Sequence, residues 1–250
     1  MITAVLAESA KAMVSTVVRS ATVLLVVGIA TLSTAMSLAA GAGNAQLSAK
    51  LGPLAEEEGW PLLTGVVSMI TAPAGLLGFG VVLSWIVGRE FSEATVSGLF
   101  ALPVSRRSIA AAKLTVFWAW SAATATALTV TCALLGLALG YGTPSDADLL
   151  ALSRLLGVGV LTGLLAVPTA WAATLGRGLL PGIALAVMMI ALGQIFVVAG
   201  TGAWFPIAAP ALWAMSPRDV SLLQLLLVPT VALLFAALTT RAWHRLELDR

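Results

Sequence analysis

The chain has 250 residues, 60% of them hydrophobic and 10% charged, with a formal net charge of +2. Soluble domains carry roughly a quarter charged residues, so this composition excludes a soluble enzyme and defines a polytopic membrane protein. The basic balance reflects Lys and Arg kept between apolar runs, not a nucleic-acid-binding face, and the abundance of Ala, Gly and Val suits a GC-rich bacterial genome.

Charge-free windows cover residues 20–49, 59–88, 114–145, 155–176, 178–217 and 220–240. Each holds the roughly 20 apolar residues that cross a hydrocarbon core. None alternates as a barrel strand does, so the windows read as helices, whose backbone groups are satisfied internally. The expected fold is all-α, one transmembrane domain over 1–250. Its six spans fall near 20–41, 62–87, 114–139, 155–175, 179–199 and 221–241.

The first apolar run, with Lys11 and Arg19 before it and SLAAGAGNA at its end, also resembles a signal peptide. It exceeds the roughly 7–15 apolar residues of such a segment, which favours a retained helix. The segment 44–58 that follows reads as a short amphipathic helix, with Leu47, Leu51 and Leu54 toward the membrane. Glu56, Glu57 and Glu58 form either an acidic rim able to steer cationic peptides or a solvated loop end.

After the second run comes GREFSEATVSGLFALPVSRRSIAAAKL, which holds Arg89, Glu90, Glu93, Arg106, Arg107 and Lys113. As a helix over 88–103, it places Phe91, Thr95, Leu99 and Leu102 near one side and Arg89, Glu90, Glu93 and Ser97 elsewhere, the pattern of an interfacial amphipathic helix. Arg89 stands four residues before Glu93, a pairing distance, and Pro103 ends the helix. Arg106, Arg107 and Lys113 are expected within reach of lipid phosphates. A charge run of this kind also serves simply as a solvated, orienting face.

In the third span Ser121 and Thr124, and in the fifth Gln194, are candidates to line a substrate pathway, against the common alternative that such hydroxyls bond their own helix. Gly136 with Gly140, and Gly159 with Gly163, form small-residue pairs suited to close helix approach within the chain or between subunits. The window 178–217 is long enough for two crossings, but Pro206, Pro210 and Pro217 interrupt its second half. One span followed by a re-entrant or interfacial hairpin, WFPIAAPALWAMSP, with Trp204 and Trp213 at the interface, is the better reading. Six spans place both termini on one side. Lys11, Arg19, Arg89, Arg106, Arg107, Lys113, Arg177, Arg241, Arg245 and Arg250 fall on that side, and Lys50, Arg154 and Arg218 on the other. The positive-inside rule then makes the termini cytoplasmic.

Catalysis has no foothold. The single histidine, His244, and single cysteine, Cys132, lack metal-ligand company, and no GxxxxGK[ST] phosphate loop is present. The lack of acidic residues near span centres argues against an ion-coupled carrier. The expected cargo is therefore apolar or amphipathic.

Gly88, Glu90, Gly98, Leu102, Pro103, Ser105, Arg106 and Lys113, in this spacing, resemble the loop signature of ABC-2 type permeases, with Val96-Ser97-Gly98 where that family often has a glycine-threonine pair. The resemblance implies the membrane subunit of an ATP-driven exporter in the bacterial plasma membrane. Drug or antibiotic efflux and lantibiotic immunity are the implied roles. Two copies of an ABC ATPase, carrying ATP and Mg on their own chains, and a second permease chain, identical or homologous, would complete the assembly, with membrane lipid around it. No cofactor would be bound directly. In that family the 88–103 segment is a coupling helix in a groove of the ATPase, with Glu90 and Glu93 toward its basic residues and Arg89, Arg106 and Arg107 at the junction. An ATP-independent carrier or a structural membrane partner is the alternative reading.

Overall fold

The computed structural model describes residues 1–100 and 104–246, with Ser97 and Phe100 as backbone only; the expected contribution of Leu102 and the stop at Pro103 lie outside the described residues. Among those residues the chain is helical and contains six helices long and apolar enough to span a membrane: Thr16–Gly41, Gly59–Ser92, Arg106–Ala138, Asp146–Leu175, Leu179–Val198 and Leu222–His244. They are called here the first to sixth spans. The second is central, packing on the first, third, fourth and fifth. An outer belt of exposed apolar side chains, among them Leu32, Leu134, Ile195, Val198 and Leu233, faces the hydrocarbon.

Helix ends follow local chemistry. A helix over Ile2–Val14 precedes the first span. Ser15 interrupts it in an extended conformation, and its hydroxyl accepts from the Val18 amide. The guanidinium of Arg19 returns to the carbonyls of Met13 and Val14 at 3.1 and 2.9 Å, closing the end of the N-terminal helix. Ser145 with Asp148, and Ser221 with Gln224, form reciprocal capping boxes at the starts of the fourth and sixth spans. The first span contains a π-helical turn, Leu24–Gly28. There Leu25 enters the core at a point where a Cβ on Gly78 would stand only 2.8 Å away.

Small residues seat the spans on one another. Gly80, Ser84 and Gly88, each four apart, face the fifth span. A Cβ on Gly80 would meet Ala186 at 2.8 Å, one on Gly182 would press closer still on the Ser84 hydroxyl, and one on Gly88 would lie 2.6 Å from the backbone of Gly178. Three glycines of the two small-residue pairs also serve intrachain packing: Gly136 faces the Trp60 ring, Gly159 faces Ala125 and Gly163 faces Ser121. Gly140, with φ +82, lies in the turn after the third span.

Five spans exceed their charge-free windows, the first by taking in Arg19 and the sixth by taking in Arg241, and the other three carry charges deeper in the helix. The second continues to Ser92 and includes Arg89 and Glu90; the third begins at Arg106 and includes Lys113; the fourth begins at Asp146 and includes Arg154. In the second and third spans opposite charges meet inside the bundle, so a charge no longer marks a helix end. The segment 88–103 is correspondingly not one helix. Its first turn belongs to the second span, the chain breaks at Glu93 and Ala94, the latter with φ 55, and Val96–Phe100 forms a separate short helix.

At the end of the bundle away from the termini, Asn44 caps the helix Ala45–Leu51 and a 3-10 turn covers Gly52–Glu56. Leu47, Leu51 and Leu54 pack on Met36, Leu62, Val66 and Ile70 and not toward lipid. The window 178–217 gives one span, a 3-10 turn Gly202–Trp204, and the helix Ala209–Met215, which packs on the second and fourth spans. Trp213 is half-buried against Gly157, whereas Trp204 is 63% exposed.

Candidate functional site

The charged segment is mounted on an ionic cluster at the end of the bundle that holds the termini. Lys113, fully buried in the third span, donates to Glu90 Oε1 at 2.6 Å, to Glu8 Oε2 at 2.8 Å and to the Ile86 carbonyl at 3.2 Å. Lys11 donates to Glu8 Oε1 at 2.8 Å and reaches Glu90 Oε1 at 3.4 Å. Two carboxylates and two ammoniums thus tie the N-terminal helix to the second and third spans with no net charge. Burial of Lys11 lowers its pKa, but its hydrogen bond to Glu8 and the charges of Glu8 and Glu90 outweigh that and leave it raised.

This geometry corrects the exposed role expected of Glu90. Its side chain is 3% exposed, and its second oxygen accepts from the Thr95 hydroxyl at 2.6 Å. Thr95 also donates its backbone N–H to the Glu90 carbonyl at 3.0 Å, so one residue closes the span and fixes the turn into Val96–Phe100. Lys113 is likewise sealed inside the protein, not extended to lipid phosphates. Arg89 does not pair with Glu93, because the helix ends there; its guanidinium lies 4.4 Å from the Trp85 ring centroid and its Nε 4.0 Å from Glu90.

Neighbouring contacts brace the same end. Phe91 meets the ring of Trp243 edge-on at 5.9 Å, and the fully buried Trp243 indole donates to the Thr174 hydroxyl at 3.1 Å. Arg106 donates to the Leu246 carbonyl. Val96 is buried and Leu99 packs on the core, so the short helix is anchored from beneath. Glu93 and Arg107 remain exposed on either side of it.

A second feature lies between the second span, the fifth span and the helix Ala209–Met215. It is a cavity of about 290 Å³, lined by Met69, Pro73, Ile190, Gln194, Ile207 and Met215 among others. Gln194 is the polar side chain in this wall. Pro73, lacking an N–H, cannot donate to the Met69 carbonyl four residues back, which leaves backbone polarity at the same wall. Ser121 and Thr124 do not join it. Both are buried, bonded to the carbonyls of Trp118 and Trp120 at 3.1 and 2.9 Å, and Ser121 packs on Gly163 of the fourth span.

The sequence reading missed Glu8, Lys11 and the inward turn of Lys113. A lone Glu8 among apolar residues three before Lys11 was the available signal, but the long-range partners, Lys113 at 105 residues from Glu8 and Glu90 at 79 from Lys11, are not visible in local spacing.

Such a bundle, with a short N-terminal helix ion-paired to the second and third spans, defines a multi-pass membrane protein. The model for the ABC-2 family transporter proteins matches residues 17–193, and the chain belongs to that family. The match takes in the first four spans, the charged junction and the fifth span through Gly193. No curated protein matches the chain.

Proposed function

We propose that the chain is the permease subunit of an ATP-driven exporter that moves a hydrophobic or amphipathic compound outward across a bacterial plasma membrane. Membership of the ABC-2 family carries this reading, together with the exposed charges on an internally braced loop. An ABC ATPase, present in two copies, binds at the short helix Val96–Phe100, and ATP with Mg is held on that partner. Glu93 and Arg107 make the charged contacts. Glu90, paired inside, acts as the strut beneath them. A push on the loop passes through Thr95 and Glu90 to Lys113 and Glu8, and so reaches the second span, the third span and the N-terminal helix together.

The termini are cytoplasmic in this reading, as the Lys and Arg distribution supports. A second permease chain, identical or homologous, completes the pathway, and Gln194 contributes to its wall. Role assignment to drug efflux or antibiotic self-protection follows the family resemblance.

The test is affinity isolation of the tagged chain from its native host in a mild detergent. Recovery of a Walker-motif ATPase is expected, lost when Glu93→Lys and Arg107→Glu are combined and the chain remains folded. Retention of the ATPase by that double variant would overturn the assigned contact, and recovery of no ATPase would overturn the permease reading.

A further inference from the structure

A second cavity, of about 340 Å³, opens at the end of the bundle away from the termini. Its wall combines the first interspan segment, the second and fourth spans and the end of the helix Ala209–Met215, and Glu57, Ser68, Arg154 and Met215 are among its residues. Three of these carry uncommitted polarity. Among the described residues, the side chain of the half-buried Arg154 forms no ion pair or hydrogen bond, and neither does the side chain of the exposed Glu57, so the two opposite charges share a cavity without satisfying each other. Ser68 is 3% exposed, and its hydroxyl has no partner among the described residues. A part-buried guanidinium loses hydration and here recovers no protein acceptor, which favours an anionic ligand.

The cavity is also continuous in its lining with the apolar one. Met215 borders both, and Ser68 and Met69 are consecutive residues of the second span that face one cavity each. One compartment offers a cation, a carboxylate and a hydroxyl; the other is almost wholly hydrocarbon, with Gln194 in its wall.

We infer that the two cavities together form a bipartite site for a zwitterionic amphiphile: its phosphate or carboxylate meets Arg154 and Ser68, its ammonium meets Glu57, and its apolar chain passes Met215 into the Gln194 cavity. Both charges of the ligand are needed because a purely anionic head would face Glu57 and a purely cationic one Arg154. That the bound amphiphile is also the cargo rests on the export reading above; that it binds does not.

The experiment uses the full chain in a nonionic detergent, with binding measured by native mass spectrometry. The probes are a twelve-carbon lysophosphatidylethanolamine, dodecyl phosphate, monolauroylglycerol and the soluble head group glycerophosphoethanolamine. The parent chain should prefer the lysophospholipid to monolauroylglycerol by about tenfold or more, the value of one well-placed charged contact. Arg154→Gln should remove most of that preference and Arg154→Lys restore part of it. Glu57→Gln should weaken the lysophospholipid but not dodecyl phosphate. Unchanged monolauroylglycerol binding and melting temperature show that the variants fold. Equal affinity of parent and Arg154→Gln for the lysophospholipid overturns the site, and a head group that binds as tightly as the lysophospholipid overturns its apolar half. These measurements need no ATPase, so failure to recover that partner would sink the export reading and leave the site standing. With the ATPase bound, release of the lysophospholipid on ATP addition identifies it as cargo chemistry, and retention identifies a resident lipid.

Discussion

Removal of Lys113 tests the ionic cluster most sharply. In Lys113→Met, Glu8 and Glu90 lose contacts of 2.8 and 2.6 Å to a fully buried ammonium and must share Lys11, which is 36% exposed and stands 3.4 Å from Glu90. A buried charge stripped of its partner costs about 3–5 kcal/mol. For a chain of this size each kcal/mol shifts the melting temperature by roughly 2–4 °C, so a fall on the order of 10 °C is expected in detergent. Glu90→Gln has the mirror effect, leaving two ammoniums on Glu8. The double variant restores neutrality through the Glu8 and Lys11 pair and should lose less than the sum of the single losses, with a coupling of about 1–3 kcal/mol. Thermal melting of the four proteins in one detergent, with urea titration as a second measure, gives the cycle. Single variants within about 2 °C of the parent, or strictly additive losses, would refute the cluster's structural role.

Three further outcomes follow from the packing. Gly88→Leu places a side chain where a Cβ already stands 2.6 Å from the Gly178 backbone; overpacking of about 1–3 kcal/mol or more is expected, read as lower yield of folded protein and a lower melting temperature, with Gly88→Ala intermediate. Gly136→Leu drives into the Trp60 ring, 2.3 Å from the Cβ position, and should destabilise the individual chain without changing the oligomeric state of whatever remains folded, as measured by light scattering. Cys132, free and 1% exposed, should resist a water-soluble maleimide in the native protein and react fully in denaturant, checked by intact mass; rapid native labelling would contradict its placement in the core.

The spans were legible because hydrophobic length is a long-range property that local sequence displays directly. Their ends were less so. Charge was expected to end the second span before Arg89 and to begin the third at Leu114, but burial of Glu90 against Lys113 lets both helices pass through their charges. That pairing spans 23 residues and is joined by Glu8, 105 residues from Lys113, so spacing on one helix could not reveal it. Ser121 and Thr124 were visible as hydroxyls, but which neighbour they face depends on Gly163 and on the packing of the fourth span. Gln194, a polar residue in a strongly apolar helix, stands in the wall of the cavity between the second and fifth spans. The leucines of the 44–58 segment showed the right period and the wrong partner, since amphipathic spacing alone does not distinguish lipid from a protein core.

The central claim is that an ATPase docks on the loop between the second and third spans. Photoactivatable benzoylphenylalanine placed singly at Glu93, Arg107, Lys50 and Arg218, followed by irradiation of native membranes, tests it directly. The account predicts a covalent adduct with a Walker-motif ATPase from positions 93 and 107 and none from 50 or 218. An ATPase adduct from 50 or 218, or adducts from 93 and 107 with lipid alone, would contradict it.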